Sequence, residues 1–175
     1  MLKTIALILA AAIAALLIYA ATKPDRFRVE RSIRINAPPE KIFALINDLH
    51  RWDAWSPYEK KDRAIKKTFG GVESGRGATY AWDGDKTVGK GQMEILESTP
   101  SSKIVIKLDF IEPFAAHNTA EFLLAPEGNA TTVTWAIHGP SPFFSKVMGL
   151  FFNMDQMIGK DFETGLADLK TVAER

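Results

Sequence analysis

Between Phe27 and Ile35 apolar residues take alternate positions, Phe27, Val29, Ile33 and Ile35, against Arg28, Glu30, Ser32 and Arg34. A period of two predicts a β-strand with one buried face, and Arg31 is the single break in it. The period then changes. After Pro38 and Pro39, suited to a first helical turn, Ile42, Phe43, Leu45, Ile46 and Leu49 recur at helical spacing and predict a helix of about two to three turns. The segment HRWDAWSPY continues as a second helical turn that Pro57 breaks. A charged connector over residues 58–71 leads into short apolar runs separated by turn residues. These are GATYAWDG, closed by DGD as a tight hairpin turn, then KTVGKGQMEILESTP, KIVIKLDFIEP, and two runs around the turn PEGN. They predict five or six antiparallel strands in meander order. Gly89 and Gly91, two apart in one strand, predict strong curvature or a close approach to the backbone. From near SPFFSK, Val147, Leu150, Phe151, Met154, Ile158, Phe162, Leu166 and Leu169 recur at three- and four-residue steps, opposite Asp155, Lys160, Glu163, Asp168 and Lys170. This predicts one long C-terminal helix with a face that must be covered. A curved antiparallel sheet is the partner long enough to cover it, so the fold class is α+β.

The N-terminus follows neither period. Ile5 to Ala21 is seventeen residues without a charge, eighteen with Thr4, which is the lower end of what spans a hydrocarbon core. Residues 4–21 read as a single-pass membrane segment, residues 1–24 as anchor and linker, and residues 25–175 as the folded domain. A signal peptide is the alternative. It needs small residues at −3 and −1, whereas cleavage after Ala20 or Ala21 puts Ile18 or Tyr19 at −3, which favours an uncleaved anchor. Lys23, Arg26, Arg28, Arg31 and Arg34 outnumber Lys3 on the other flank and lean toward a cytoplasmic domain, but several belong to the first strand. The side of the membrane stays open. The whole chain, 175 residues with 46% hydrophobic, suffices for one domain plus this appendage. With 22 basic against 21 acidic residues, the net charge of +1 gives no field that would gather nucleic acid. The absence of cysteine removes disulfides, thiolate nucleophiles and thiolate metal sites.

The stretches RSIRINAPPEKIFALINDLHRWDAWSPY, GATYAWDG, VGKGQMEILESTP and MIGKDFETGLADLK resemble the START-like superfamily, also called SRPBCC, and within it the polyketide cyclase/dehydrase group. The resemblance covers roughly residues 27–172. It implies the helix-grip fold, a curved antiparallel sheet wrapped around a long C-terminal helix with a cavity between them, here preceded by a transmembrane helix. It also implies a hydrophobic small molecule or lipid as ligand. Its motifs are specific for the group and weakly specific for chemistry, since members include lipid carriers and aromatic cyclases.

Candidate cavity-lining residues are Trp52, Trp55, Tyr80, Trp82, Met93, Phe110, Phe122, Trp135, Met154 and Ile158, with Ile95 beside the paired glycines. Each is also an ordinary core residue. As a set they mix aromatics with small residues and with adaptable methionines, the composition of permissive apolar sites. Asp48, His50 and Asp53 read as capping or surface groups. His117 and His138 fall on the more polar strand faces and read as outward. His117 and Glu121 are four apart on a strand, about 13 Å, too far for one metal. No zinc-protease helix, nucleophile elbow or phosphate-cradling loop is present in the sequence, so it assigns no catalytic residue, metal or cofactor. A cyclase or dehydratase acting on an aromatic or polyketide-like substrate is the enzyme alternative, for which Tyr80, His117 and Glu121 are the candidate polar groups. A stress-response or protein-interaction domain with a vestigial cavity is the third. Gly159 and Gly165 inside the long helix each cost about 1 kcal/mol against alanine, and either tight packing or a ligand needs their room.

Overall fold

The computed structural model describes residues 1–62 and 64–175. Helix α1, Leu2–Ala21, is exposed along nearly its whole length, with Ala20 buried near its end, and linker residues 22–25 join it to strand β1, Arg26–Ile35. Then come α2, Pro39–Asn47, a 3-10 helix, Leu49–Ala54, and α3, Pro57–Lys61. The remaining strands are β2, Lys66–Gly71, β3, Ala78–Asp83, β4, Lys90–Thr99, β5, Lys103–Glu112, β6, Ala116–Glu127, and β7, Ala130–Pro140. Helices α4, Phe143–Met148, and α5, Met154–Ala173, close the chain. The described residues thus form one seven-stranded antiparallel sheet in the order β1-β7-β6-β5-β4-β3-β2, curved around α5 in the helix-grip arrangement.

Four expectations need correction. The strands number seven, because Lys66–Gly71 inside the predicted connector pairs with β3. Arg63 of that connector lies outside the described residues. Residues 84–89 make a longer loop than the tight hairpin turn expected of DGD. The last helix is two, since Gly149 caps α4 and the Asn153 side chain accepts from the Gln156 amide to start α5 afresh. Val147, Leu150 and Phe151 therefore lie outside the long helix. Pro57 likewise opens α3 at its first position instead of merely stopping a helix, which suits a residue with no amide proton to donate.

The break at Arg31 has a structural reason. Arg31 points inward with the apolar residues of β1 and reaches α5, where its guanidinium donates to Glu163 at 2.8 Å and to Asp155 at 3.0 Å. A side chain on Gly159 would collide with that guanidinium. Gly165 serves helix packing too, since a Cβ there would stand 2.8 Å from both the Pro57 ring and the Trp135 ring. Both helical glycines therefore make room for packing against the sheet and α3. One turn away, Phe162 stacks on Trp135 with ring centres 4.0 Å apart and planes 10° apart.

Gly165→Ala meets two rigid rings, so the overpacking cost of about 1–3 kcal/mol outweighs the gain of about 1 kcal/mol in helix propensity. Its thermal midpoint in detergent should fall. Gly159→Ala should cost less, because a guanidinium can swing aside.

The carboxyls of Asp155, Asp109 and Glu121 lie below their usual range in the folded protein. Arg31 lowers Asp155, and Lys107 with His117 lowers Asp109, while Arg28 and His138 outweigh the opposing effect of burial on Glu121. A lowered folded value means stabilisation that is present above about pH 4 and disappears as pH falls through it. The urea midpoint should therefore be level near neutrality and drop between about pH 4 and pH 2; a flat profile there would contradict these pairings.

Candidate functional site

Helix α5 lies chiefly over β1, with lesser contact to α2, α3 and β7, and the sheet curves away from it toward β3, β4 and β5. The space left between them is a cavity of about 1070 Å³. That exceeds the upper range of ordinary small-molecule pockets, about 1,000 Å³. Alternation along the strands supplies one wall: Tyr80 and Trp82 from β3, Met93 from β4, and Ile106, Leu108 and Phe110 from β5. Met154, Ile158 and Phe162 of α5 supply the facing wall, and Trp52, Trp135 and Ile137 close the inner end.

Eight of the ten predicted lining residues, Trp52, Tyr80, Trp82, Met93, Phe110, Trp135, Met154 and Ile158, border this space. Trp55 and Phe122 do not, and correct the expectation. They are fully buried behind the wall, packed edge-on to each other with ring centres 5.9 Å apart. Ile95 is also fully buried and off the cavity. Trp82 can lie flat against β4 because Gly91 carries no side chain; a Cβ there would enter the indole ring. The close approach predicted by the paired glycines is thus that of a tryptophan.

The two tryptophans of the corner have a backbone task. Helix α2 ends without a glycine cap, and the indole nitrogens of Trp55 and Trp52 donate to the carbonyls of Leu45 at 3.1 Å and Ile46 at 2.9 Å. Carbonyls of a last helical turn lack partners within the helix, and here two side chains supply them. Asp48 caps the 3-10 helix by accepting from the His50 amide at 3.0 Å, and the His50 ring stacks on Phe69. Asp53 pairs with Lys67. His117 binds Asp109 at 2.7 Å on the outer face of the sheet, and Glu121 sits there between Arg28 and His138. Glu121 therefore stands off the cavity, and His117, which borders it, has its ring engaged by Asp109.

Sequence reasoning missed the polar group that does face it. Glu59 of α3 lines the cavity with a side chain 7% exposed; it accepts from the Tyr80 hydroxyl at 2.8 Å and pairs with Lys67. The signal was the capping-box pattern Ser56-x-x-Glu59 with Pro57 at the first helical position, hidden in a run that reads as a solvated charged surface. Burial, with Glu59 adding to it, pushes the Tyr80 hydroxyl up, and burial does the same to Tyr58, so both stay neutral donors at physiological pH. Asp161 and Lys61, 2.7 Å apart, form a second polar spot on the rim. Among the described residues no group of three or more histidines, cysteines or acids is placed to hold a metal. The site is thus an apolar chamber with one neutral hydroxyl pair and two compensated charges.

The family described as "Polyketide cyclase / dehydrase and lipid transport" matches residues 26–174. A crystal structure from Chromobacterium violaceum superposes with a TM-score of 0.60 at 15% identity, covering 87% of this chain and 99% of that one. A solution structure from Thermobifida fusca gives 0.60 at 21% identity, covering 82% and 90%. The di-domain ARO/CYC protein of the steffimycin biosynthetic pathway gives 0.62 at 11% identity, covering 85% of this chain and 51% of that one. At these identities the likeness is one of fold. No curated protein matches the chain by sequence.

Removing the cation that compensates Glu59 should be costly. Lys67→Met leaves a buried carboxylate without its partner, and we expect a loss of about 1–3 kcal/mol in thermal or urea unfolding. Adding Glu59→Gln should restore part of it. Equal stability of single and double variants would show that the pair carries no weight.

Proposed function

We propose that this chain, which belongs to the polyketide cyclase / dehydrase and lipid transport family, binds a hydrophobic small molecule or lipid between sheet and α5 while tethered to a membrane by residues 4–21. The observation that carries the reading is the cavity itself, about 1070 Å³ and walled mainly by aromatic, aliphatic and methionine side chains. Transfer of apolar ligand surface from water into such a space is worth about 25 cal/mol per Å². The eight lining residues named above are the proposed contacts, with Glu59 and Tyr80 as a single polar anchor for a hydroxyl or amide on the ligand. Tethering supports the same reading. Helix α1 is long and apolar enough to cross a membrane and nearly all of it is exposed, unlike the core helix of a soluble protein. A domain held at the bilayer meets membrane-soluble ligands at high effective concentration.

A cyclase or dehydratase reading draws on Tyr80 and Glu59, which do face the cavity. It is the weaker one. The Tyr80 hydroxyl is already donated to Glu59 and is hard to deprotonate, and the Glu59 carboxylate is itself engaged by Tyr80 and Lys67, so neither of the two stands free to take a proton from a substrate carbon.

The test is to isolate the full chain from its host membrane in mild detergent, and to identify by native mass spectrometry and solvent extraction what travels with it. A lipid or apolar aromatic compound is expected. Leu108→Trp, which projects bulk into the cavity, should abolish its recovery and weaken binding of a fluorescent fatty acid by about tenfold with the fold kept. Undiminished binding by that variant would place the ligand elsewhere.

A further inference from the structure

Antiparallel pairing sorts every connection of the sheet to one of two ends. Linker 22–25 and loops 84–89, 113–115 and 141–153, the last containing α4, fall at the same end. The cavity reaches that end, where Thr87, Val88, Phe114, Phe144 and Phe152 line it.

The same loops expose Phe114 (69%), Phe143, Phe144, Phe151 (65%) and Phe152, and the adjoining first turn of α5 exposes Met157. Five of the eleven phenylalanines of the chain thus lie bare in one region. Scattered exposed apolar residues are ordinary, but a contiguous set of large ones marks a surface that something covers.

What covers it follows from α1. Its last turn packs on α4, where Ala20 is fully buried, and Lys146 of α4 reaches back to Asp25 at 2.6 Å. Lys23 donates to the Tyr19 hydroxyl at 2.8 Å, an aromatic and basic pair of the kind that sits at a membrane interface. From Ala21 to Arg26 the chain extends at most about 18 Å. If α1 spans the bilayer, the phenylalanine-bearing end therefore lies at its surface, and a soluble partner or second copy would have to enter between domain and lipid.

We infer that α4 and the residues 149–153 dock into the lipid headgroup layer, with Phe144, Phe151 and Phe152 in the acyl boundary, so that the cavity mouth opens onto lipid and not water. Such interfacial segments bury their apolar side about 5–10 Å deep. A ligand then passes from bilayer to cavity without crossing water, and Phe114 and Phe144, with ring centres 6.0 Å apart, flank its path. The inference rests on the reading of α1 as membrane-spanning.

The chain has no cysteine, so single-cysteine variants of the full chain can be labelled at one site each. Ala11→Cys reports on α1, Phe151→Cys on the docking surface, and Asn129→Cys on the β6–β7 turn at the opposite end. Each is labelled with an environment-sensitive fluorophore and reconstituted in phosphatidylcholine vesicles carrying nitroxide-labelled lipid. Probes at 11 and 151 should lose most of their fluorescence to the nitroxide, and the probe at 129 should keep it. Quenching at 11 without quenching at 151 overturns the docking and leaves the anchor intact. A blue-shifted probe at 151 that the nitroxide does not quench reads a protein partner or second copy on the patch, and also overturns it. No quenching at 11 removes the membrane-spanning reading, and the docking with it.

Discussion

Helix α5 reaches only as far across the sheet as Arg31 and Trp135 hold it. The guanidinium of Arg31 ties it to β1 through Asp155 and Glu163, and between those two residues Phe162 lies flat on Trp135 of β7. Both attachments fall on the same side of the sheet, because β1 and β7 are neighbours at one edge. A twenty-residue helix is about 30 Å long and about 10 Å across, so a helix fixed over two edge strands cannot also cover the five beyond them. The cavity is the uncovered remainder. Gly159 and Gly165 belong to this constraint, since each removes the side chain that would push α5 off its seat.

The corner between α2 and α3 fixes the other boundary of the chamber. Two indole nitrogens complete the last turn of α2, and the same two rings stand 4.9 Å apart as a wedge. That wedge turns the chain so that α3 begins at Pro57 and carries Glu59 over Tyr80. One interaction on the backbone therefore has a chemical consequence, placing a carboxylate in a wall that is mainly apolar. Lys67 compensates it from β2, which ties the far edge of the sheet to the same corner. A cavity of this make-up suits discrimination by shape and apolar area, with few polar contacts to set orientation.

A physical division runs along the strands. The end carrying the β6–β7 turn is closed by α2 and the C-terminal part of α5, with Thr131 bonded to the carbonyl of Ala37 at 2.9 Å. The other end is loosely covered by short elements rich in exposed aromatics and receives α1.

Much of the molecule is written locally. The period-two run of β1, the helical period of α2 and of the polar and apolar faces of α5, and the uncharged stretch of α1 each express a nearest-neighbour rule, so residue order alone determined the α+β class and the helix-grip order of elements. Outward placement of His117 and His138 followed from strand alternation in the same way. Eight of the ten residues expected to line a cavity do border it, because an inward face is a property of the strand or helix that bears it. What tertiary structure alone decided is which inward residues have nothing opposite them. Trp55 and Phe122 share the periodicity of Trp52 and Trp135 yet meet each other instead of open space. Glu59 read as part of a charged connector and Arg31 as a break in a strand's pattern until partners distant in the sequence, Tyr80 and Lys67 for one and Asp155 and Glu163 for the other, accounted for each. Whether an inward position becomes core or cavity depends on how far one helix reaches across a curved sheet, and no local period encodes that distance.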